Sequence, residues 1–127
     1  MFTINELLQG FQRFRVKHFE PNRDLFNRLA MQGQTPRTLL IGCSDSRVDP
    51  AILTDSAPGD LFVIRNVANL VPPHETGGRY HGTSAALEFA VCNLKVSNII
   101  ILGHSRCGGI RALLEGYGEN DEGEGFI

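Results

Sequence analysis

The sequence lacks the features that identify membrane, secreted and nucleic-acid-binding proteins. No apolar run in its 127 residues approaches the roughly 20 residues that a membrane-spanning helix needs. The N-terminal stretch MFTINELLQGFQRF mixes charged with apolar residues and has no apolar core of a signal peptide. A formal net charge of −2 argues against a general affinity for nucleic acid or acidic membranes. We therefore expect a cytoplasmic protein without a nucleic-acid or membrane partner.

Cysteine is scarce, and common cysteine and glycine motifs are missing. An odd count of three cysteines, without a secretion signal, argues against a disulfide framework and leaves metal-binding or catalytic roles open. Thiol redox chemistry is an alternative, but there is no Cys-x-x-Cys motif, and Cys43 and Cys107 lie far apart in the sequence. Nucleotide binding is another alternative, but HSRCGG (104–109) matches neither the G-x-G-x-x-G nor the G-x-x-x-x-G-K-[ST] phosphate-binding loop.

The length and composition fit one compact domain, with 42% hydrophobic and 20% charged residues. Near the N-terminus, apolar residues at helical spacing predict an amphipathic helix over 3–18 and a second helix over about 22–32. We interpret residues 1–33 as an N-terminal helical arm. The apolar positions of the first helix are Ile4, Leu7, Leu8, Phe11 and Phe14.

Three later apolar runs show little alternation, which is typical of parallel strands buried on both faces. They are TLLIG (38–42), LFVIR (61–65) and NIIILG (98–103). Helical spacing predicts a helix over 83–95 between the last two runs, and a final helix over about 108–115 with Gly116 as its C-cap. The fold class is therefore α/β, with a parallel β-sheet core flanked by helices over residues 34–127.

The C-terminal stretch EGYGENDEGEGFI is acidic and rich in glycine, and it ends on two apolar residues. A helix that follows a third parallel strand usually leads to a fourth strand. We therefore expect the domain to be incomplete at its C-terminus. An uncovered third strand would make the isolated chain poorly soluble or obligately oligomeric.

Polar residues follow the first and third predicted strands, where parallel sheets bind their ligands. Strand alternation places Cys43, Asp45 and Arg47 on one side, and the spacing of His104 and Cys107 brings both to one face at the start of a helix. If the two strands are neighbours, Cys43, His104 and Cys107 can converge. Two thiolates and an imidazole suit zinc, and three ligands leave a fourth position open, as in catalytic sites.

Each of these residues has an ordinary structural reading when it is taken alone. A single cysteine near a strand end is usually a small core residue, and it is the combination at two strand ends that predicts zinc. Cys92 lies within an apolar helix, which predicts core packing. Three histidines have no partner pattern and are interpreted as structural or solvent-facing: His18, His74 and His81.

The motifs CSDSR and GHSRCGG together resemble those of the β-class carbonic anhydrases. The likeness continues through PGDLFVIRNVANLVPP (58–73) and LKVSNIIILGHSRCGGIRALL (94–114), and it covers nearly the whole chain from Gln34 onward. The resemblance implies a zinc enzyme that reversibly hydrates CO₂ to bicarbonate and a proton, by attack of zinc-bound hydroxide.

The resemblance also implies roles for individual residues. Zinc would be bound by Cys43, His104 and Cys107. Asp45 would accept a hydrogen bond from the hydroxide, and Arg47 would hold Asp45 in place. In a closed state, Asp45 would leave Arg47 and become the fourth zinc ligand.

A substrate pocket is implied in the same way. Gln34 matches a substrate-binding glutamine, and Gly108 matches a backbone N–H that faces the substrate. Phe62, Val67 and Phe89 match an apolar CO₂ pocket. Gln34, Phe62 and Phe89 would reach the site from a dimer partner, which implies a homodimer or higher homo-oligomer with the N-terminal helices packed on the partner.

Some features depart from the family pattern. Phe89 stands where many plant-type members have tyrosine, and Leu40 stands where the bicarbonate-regulated subclass has tryptophan, so the chain resembles the plant-type, open-site subclass. Members also usually continue for many more residues. Two alternatives follow: a hydrolase of small CO₂-like sulfur compounds on the same scaffold, and a non-catalytic zinc-stapled fragment or assembly module of a larger complex.

Overall fold

A computed structural model describes residues 2–77 and 81–116, and the chain divides into two compact units, Met1–Gln34 and Thr35–Ile127. The acidic stretch 117–127, which suggested an incomplete domain, lies outside the described residues. The helices are α1 (Ile4–Phe14), α2 (Arg23–Gln32), α3 (Pro50–Thr54), α4 (Gly82–Glu88) and α5 (Gly108–Leu114). The strands are β1 (Thr38–Cys43), β2 (Leu61–Asn66) and β3 (Asn98–Leu102). No helix of the described part is long and apolar enough to cross a bilayer.

The first unit contains the two helices that the sequence predicts. A capping box starts α1: the Thr3 hydroxyl accepts from the Glu6 N–H, and the Glu6 carboxylate accepts from the Thr3 N–H. A π-helical turn (Arg15–Phe19) and a 3₁₀ turn (Glu20–Asn22) connect α1 to α2. Phe26 of α2 packs against Phe14 and Phe19, with ring centroids 6.1 and 5.1 Å away.

The second unit is built on a three-stranded parallel sheet in the order β2-β1-β3. This confirms the predicted α/β class and the parallel sheet, and it meets the condition that the first and third strands are neighbours. The central strand β1 is fully enclosed, and Leu39, Leu40 and Ile41 are at most 2% exposed. Ala90, which follows α4, packs with Leu39 and Ile41 in the main core.

The prediction that all three strands are buried on both faces is wrong at Val63 of β2, which is 41% exposed, and along β3. Its residues Ile99, Ile100 and Ile101 are 51%, 45% and 59% exposed. The physical reason is position, because β2 and β3 are the two edge strands of the described sheet and each pairs with β1 alone among the described residues. An apolar run predicts a strand, but it does not predict the strand's place in the sheet.

The helix predicted over 83–95 forms as α4 followed by a π-helical turn (Phe89–Asn93). The prediction that Cys92 packs in the core is wrong, since its side chain is exposed. Ala90 is the buried residue of this turn, and residues two apart on a helix do not share a face. The final helix is α5, and Gly116 follows it with φ +76°, as its predicted capping role requires.

The short helix α3 was not predicted, although its sequence carries a start signal. The Asp49 carboxylate accepts hydrogen bonds from the N–H groups of Ala51 and Ile52, at 3.1 and 3.3 Å. Pro50 occupies the first helical position, which needs no N–H donor. Because of α3, the segment after β1 is a short, bounded loop.

Candidate metal centre

The three residues predicted to bind metal converge where β1 and β3 end. The two strands are in parallel register, with Gly42 beside Leu102. Cys43 therefore closes β1 next to the turn that carries His104, and Cys107 follows this turn as the N-cap of α5. The thiols and the imidazole place ligand atoms within 4.8 Å of one another.

The spacing of the two sulfurs fits a shared metal ion. The Sγ atoms of Cys43 and Cys107 lie 3.8 Å apart, and neither residue is in a disulfide. Two sulfurs that each lie about 2.3 Å from one tetrahedral zinc are about 3.8 Å apart. Both cysteines are buried, so the site is closed off on the sulfur side.

The imidazole of His104 also fits a metal-binding role. Its Nδ1 lies 3.1 Å from the Ser105 carbonyl oxygen, to which an Nδ1–H would donate. The Nε2 atom is buried and has no hydrogen-bond partner within the described ranges. A buried polar atom without a partner is costly and needs an explanation. Metal-binding histidines commonly donate their other N–H to a carbonyl, as this geometry allows.

The surroundings of Cys43 favour its thiolate. Burial, the largest single influence, raises the pKa of this thiol, but hydrogen bonds outweigh it and bring the pKa down to about 7. The groups that lower it are the backbone N–H of Asp45, which donates to the sulfur at 3.5 Å, the nearby side chain of His104, the backbone of Ala68 and the thiol of Cys107. The thiolate is the form of cysteine that binds metal, so the fold prepares this ligand near neutral pH.

Asp45 and Arg47 form a two-point ion pair beside the three ligands. Arg47 Nε donates to Asp45 Oδ1 at 2.9 Å, and Arg47 Nη2 donates to Asp45 Oδ2 at 2.8 Å. These hydrogen bonds hold the pKa of the Asp45 carboxyl well below its usual range. Arg47 Nη2 also lies 3.2 Å from the Arg106 carbonyl oxygen, so the pair connects the loops that follow β1 and β3.

A turn after β2 (Val67–Asn69) completes the wall of the site. Ala68 is fully buried, has φ +69° and joins Cys43, Val48 and Cys107 in one cluster. A Cβ atom added to Gly109 would lie 2.6 Å from Val67 Cγ1 and 2.8 Å from Ala68 Cβ. Gly109 therefore allows α5 to approach the turn.

The predicted substrate residues are not all in one place. Val67 lies against Gly109, and the space around the Gly108 Cα is open. Phe62 and Phe89 contact each other, with ring centroids 5.8 Å apart. Phe62 pairs with Leu39, near the opposite end of β1 from Cys43. Gln34 belongs to the N-terminal unit. A contribution of Gln34, Phe62 and Phe89 to a partner's site remains a prediction.

Sequence reasoning missed two polar residues at the end of β2. Asn66 closes the following turn, because its Oδ1 accepts from the Leu70 N–H at 2.9 Å and its Nδ2 donates to the Leu70 carbonyl at 2.7 Å. Arg65 reaches across the sheet to the loop that carries Cys43 and Asp45. The available signal was a charged residue and an amide at the end of an apolar strand.

A cavity of about 430 Å³ opens beside the ligands, on the side of α5. It is lined by His104, Arg106, Cys107, Ile110, Arg111, Leu114 and Glu115. The three ligand residues and the ion pair thus form one group, with an open space on one side of it and a buried cluster on the other. Such an arrangement can hold a metal ion while a small molecule reaches it.

Comparison with known proteins agrees with this geometry. Residues 38–127 match a family model described as carbonic anhydrase. A curated carbonic anhydrase from Synechocystis is 48% identical over 112 residues, which are 88% of this chain and 40% of that protein. The chain spans about 40% of the length of the curated relatives it matches.

Solved structures give the same result. The β-carbonic anhydrase CcaA matches with a TM-score of 0.83 and 44% identity over 94% of this chain and 52% of that one. One of two tetrameric β-carbonic anhydrases of Sordaria macrospora matches with a TM-score of 0.74 and 39% identity, over 87% and 53% of the two chains.

Proposed function

The chain belongs to the carbonic anhydrase family, in its β class, and from this premise we propose that it acts in the zinc-dependent, reversible hydration of CO₂ to bicarbonate and a proton. The observation that carries the proposal is the convergence of Cys43, His104 and Cys107 beside the Asp45–Arg47 pair. A zinc site that served only structure would prefer four protein ligands and would not need this pair.

Cys43, His104 and Cys107 would hold the zinc ion, through two thiolates and an imidazole nitrogen. Zinc, when bound, supplies a Lewis acid that makes water a nucleophile near neutral pH. Asp45 would accept a hydrogen bond from the nucleophile through a carboxylate oxygen, and this bond would orient the nucleophile's lone pair toward CO₂. Arg47 holds both carboxylate oxygens by its side chain, and this pairing would keep them from binding the metal.

The charge of the ligands sets the expected pH dependence. Two thiolates cancel the +2 charge of zinc, whereas three neutral imidazoles leave it in place. With three histidine ligands the pKa of the activated water is about 7, and we expect a smaller lowering with two thiolates. CO₂ hydration should therefore rise toward alkaline pH. A pH–rate profile centred below neutrality would contradict this mechanism.

We also propose that the working form is a homo-oligomer. CO₂ is apolar and needs a dry, apolar pocket. Val67, which lies against Gly109, is the candidate residue for its wall within this chain. Gln34, Phe62 and Phe89 would complete the pocket from a partner subunit. The proposal is supported by the tetrameric assembly of the Sordaria macrospora relatives. A concentration-dependent rise in specific activity, together with a larger species in light scattering, is the expected result.

The test of the function is a stopped-flow assay of CO₂ hydration on the zinc-loaded chain, with zinc measured by elemental analysis. We expect about one zinc per chain and measurable turnover. Cys43→Ser should lose both, whereas Cys92→Ser, at an exposed cysteine, should keep both. Zinc retained in Cys43→Ser would refute the ligand assignment. Zinc without turnover in the unchanged chain would favour the zinc-stapled module.

A further inference from the structure

Arg65 is a charged residue at the end of β2 whose side chain crosses the sheet to β1. It stands beside Gly42 in the parallel register, and only 28% of its side chain is exposed. Its guanidinium makes three polar contacts. Nε donates to the Cys43 carbonyl at 2.9 Å, Nη2 donates to the Asp45 carbonyl at 2.7 Å, and Nη1 lies 3.2 Å from Asp49 Oδ2.

The acceptors of Arg65 are the backbone of the metal-binding segment. The chain leaves the regular sheet after Cys43, and within residues 43–45 it must turn the Cys43 thiol and the Asp45 carboxylate toward the same point. Backbone carbonyls outside a sheet ladder need other donors. A guanidinium presents its donors in a rigid planar fork, so it can fix two carbonyls relative to each other.

The side chains of Arg65 and Arg47 brace the same segment from two directions. Arg47 holds the Asp45 carboxylate and reaches the Arg106 carbonyl in the loop after β3. Arg65 holds the Asp45 carbonyl and the Cys43 carbonyl from β2. Arg47 therefore fixes the end of the Asp45 side chain, while Arg65 fixes the backbone from which it projects.

We propose that Arg65 is a positioning residue of the metal centre, which sets the directions of the Cys43 thiol and the Asp45 carboxylate by holding the backbone of residues 43–45. The inference rests on the proposed function only in assuming that Cys43 binds metal. Asp49 has a supporting part, because its Oδ2 contacts the guanidinium while its Oδ1 caps α3.

The test compares four variants of the full chain with the unchanged chain. Arg65→Gln removes the fork, and Arg65→Lys keeps the charge but not the planar pair of donors. Asp49→Asn keeps an oxygen to cap α3 and removes the negative charge beside Arg65. Arg37→Gln is the matched control, since Arg37 is exposed and directly precedes β1, at the end of the strand opposite Cys43.

Three measurements separate positioning from simple stabilisation. Zinc affinity is measured by competition with a chelator, the visible absorption of the cobalt(II)-loaded protein reports the geometry around the thiolates, and the melting temperature of the metal-free protein reports stability. Arg65→Gln should weaken zinc binding about 10- to 100-fold, as the loss of outer partners of metal ligands does, and should shift the cobalt spectrum. Arg65→Lys should lie between, Asp49→Asn should change little, and Arg37→Gln should match the unchanged chain.

Each outcome decides the inference. Wild-type zinc affinity and cobalt spectrum in folded Arg65→Gln would overturn it, whatever the melting temperature. If Arg65→Gln does not fold, Arg65→Lys decides in the same way. If the unchanged chain binds metal but does not hydrate CO₂, the proposed function is wrong. The role of Arg65 is still tested by zinc affinity and the cobalt spectrum. An unchanged chain that binds neither zinc nor cobalt overturns both.

Discussion

Strands β1 and β3 lie side by side and have similar apolar sequences, yet their surroundings differ. Leu39, Leu40 and Ile41 of β1 are almost completely enclosed, whereas Ile99 and Ile101 of β3 are about half exposed. Both strands end at the candidate metal centre: Cys43 ends β1, and the loop after β3 carries His104 and Cys107. One side of the centre therefore follows the enclosed strand β1, and the other side follows the exposed edge strand β3.

The difference shows how the two sides are kept together. On the side of β1, Arg65 fixes the backbone from within the sheet. On the side of β3, cross-connections bring the following loop into place: the Arg47 bond to the Arg106 carbonyl, and the close packing of Gly109 on Ala68. The loop that follows the exposed strand β3 is thus held in place by its own contacts with other loops, and not by burial of the strand.

The largest expected effect comes from a matched pair of truncations in the two strands. Leu39→Ala should lower the free energy of unfolding by about 2–5 kcal/mol, because it leaves a cavity in the enclosed core. Ile101→Ala, at an exposed position, should cost about 1 kcal/mol or less. Urea unfolding measures both. Equal costs would mean that β3 is covered in solution, for example by a second copy of the chain.

A second pair tests the packing of α5. Gly109→Ala should destabilise the metal-free protein by about 1–3 kcal/mol, because its Cβ would overlap the Val67 and Ala68 side chains. It should also weaken zinc binding, since Cys107 moves with α5. Gly108→Ala meets no atom within 4 Å and serves as the control. Similar melting curves for the two variants would show that the approach of α5 to the turn is not tight.

A third substitution tests the loop after β1. Asp45→Asn should keep zinc and lower turnover about 10- to 100-fold, because it removes the carboxylate that orients the nucleophile. Asp55→Asn, at the exposed end of α3, should leave turnover unchanged. Zinc content and stopped-flow CO₂ hydration are measured on the same samples. Unchanged turnover in Asp45→Asn would remove Asp45 from the mechanism.

The remaining prediction is a pH dependence of stability that originates at β1. The Cys43 thiol has a pKa of about 7 in the folded protein, against an ordinary value of 9.0. Between these values the unfolded state binds more protons, so the stability of the metal-free protein rises with pH. The gain is complete above pH 9 and is lost as the pH falls through 7. Thermal melting at several pH values measures it.

Control variants for this pH dependence are available among the cysteines. Cys43→Ser should flatten the rise in melting temperature between pH 7 and 9, and Cys92→Ser should leave it in place. If the rise persists in Cys43→Ser, another group is responsible for it, and the lowered pKa of Cys43 does not contribute to stability.

Much of the fold follows from local sequence patterns. Uninterrupted apolar runs predicted the three strands, and helical spacing predicted all the helices except α3. The alternation of Cys43, Asp45 and Arg47 along an extended segment, together with the spacing of His104 and Cys107, was enough to predict that these side chains could meet. Such patterns show which side chains of one helix or strand point in the same direction. This property depends only on the local conformation of the segment.

Other features depend on where segments lie relative to one another, and no local pattern reports that. The exposure of Ile101 follows from the edge position of β3. The bond from Arg65 to the Cys43 carbonyl follows from the register of β2 on β1. The steric need for Gly109 follows from the path of the turn at Val67–Asn69. Each becomes visible only when two distant parts of the chain are placed together.

The contact between Ala68 and Gly109 also has a consequence for how this sequence can evolve. A Cβ on residue 109 would stand 2.8 Å from the Ala68 Cβ. Neither side chain can therefore enlarge without a change at the other position. Ala68 already has φ +69°, a conformation that glycine adopts at no steric cost. Ala68→Gly would remove one of these contacts and leave Val67 Cγ1 at 2.6 Å, so we expect non-additive effects between positions 68 and 109, which are 41 apart in the sequence (109 − 68).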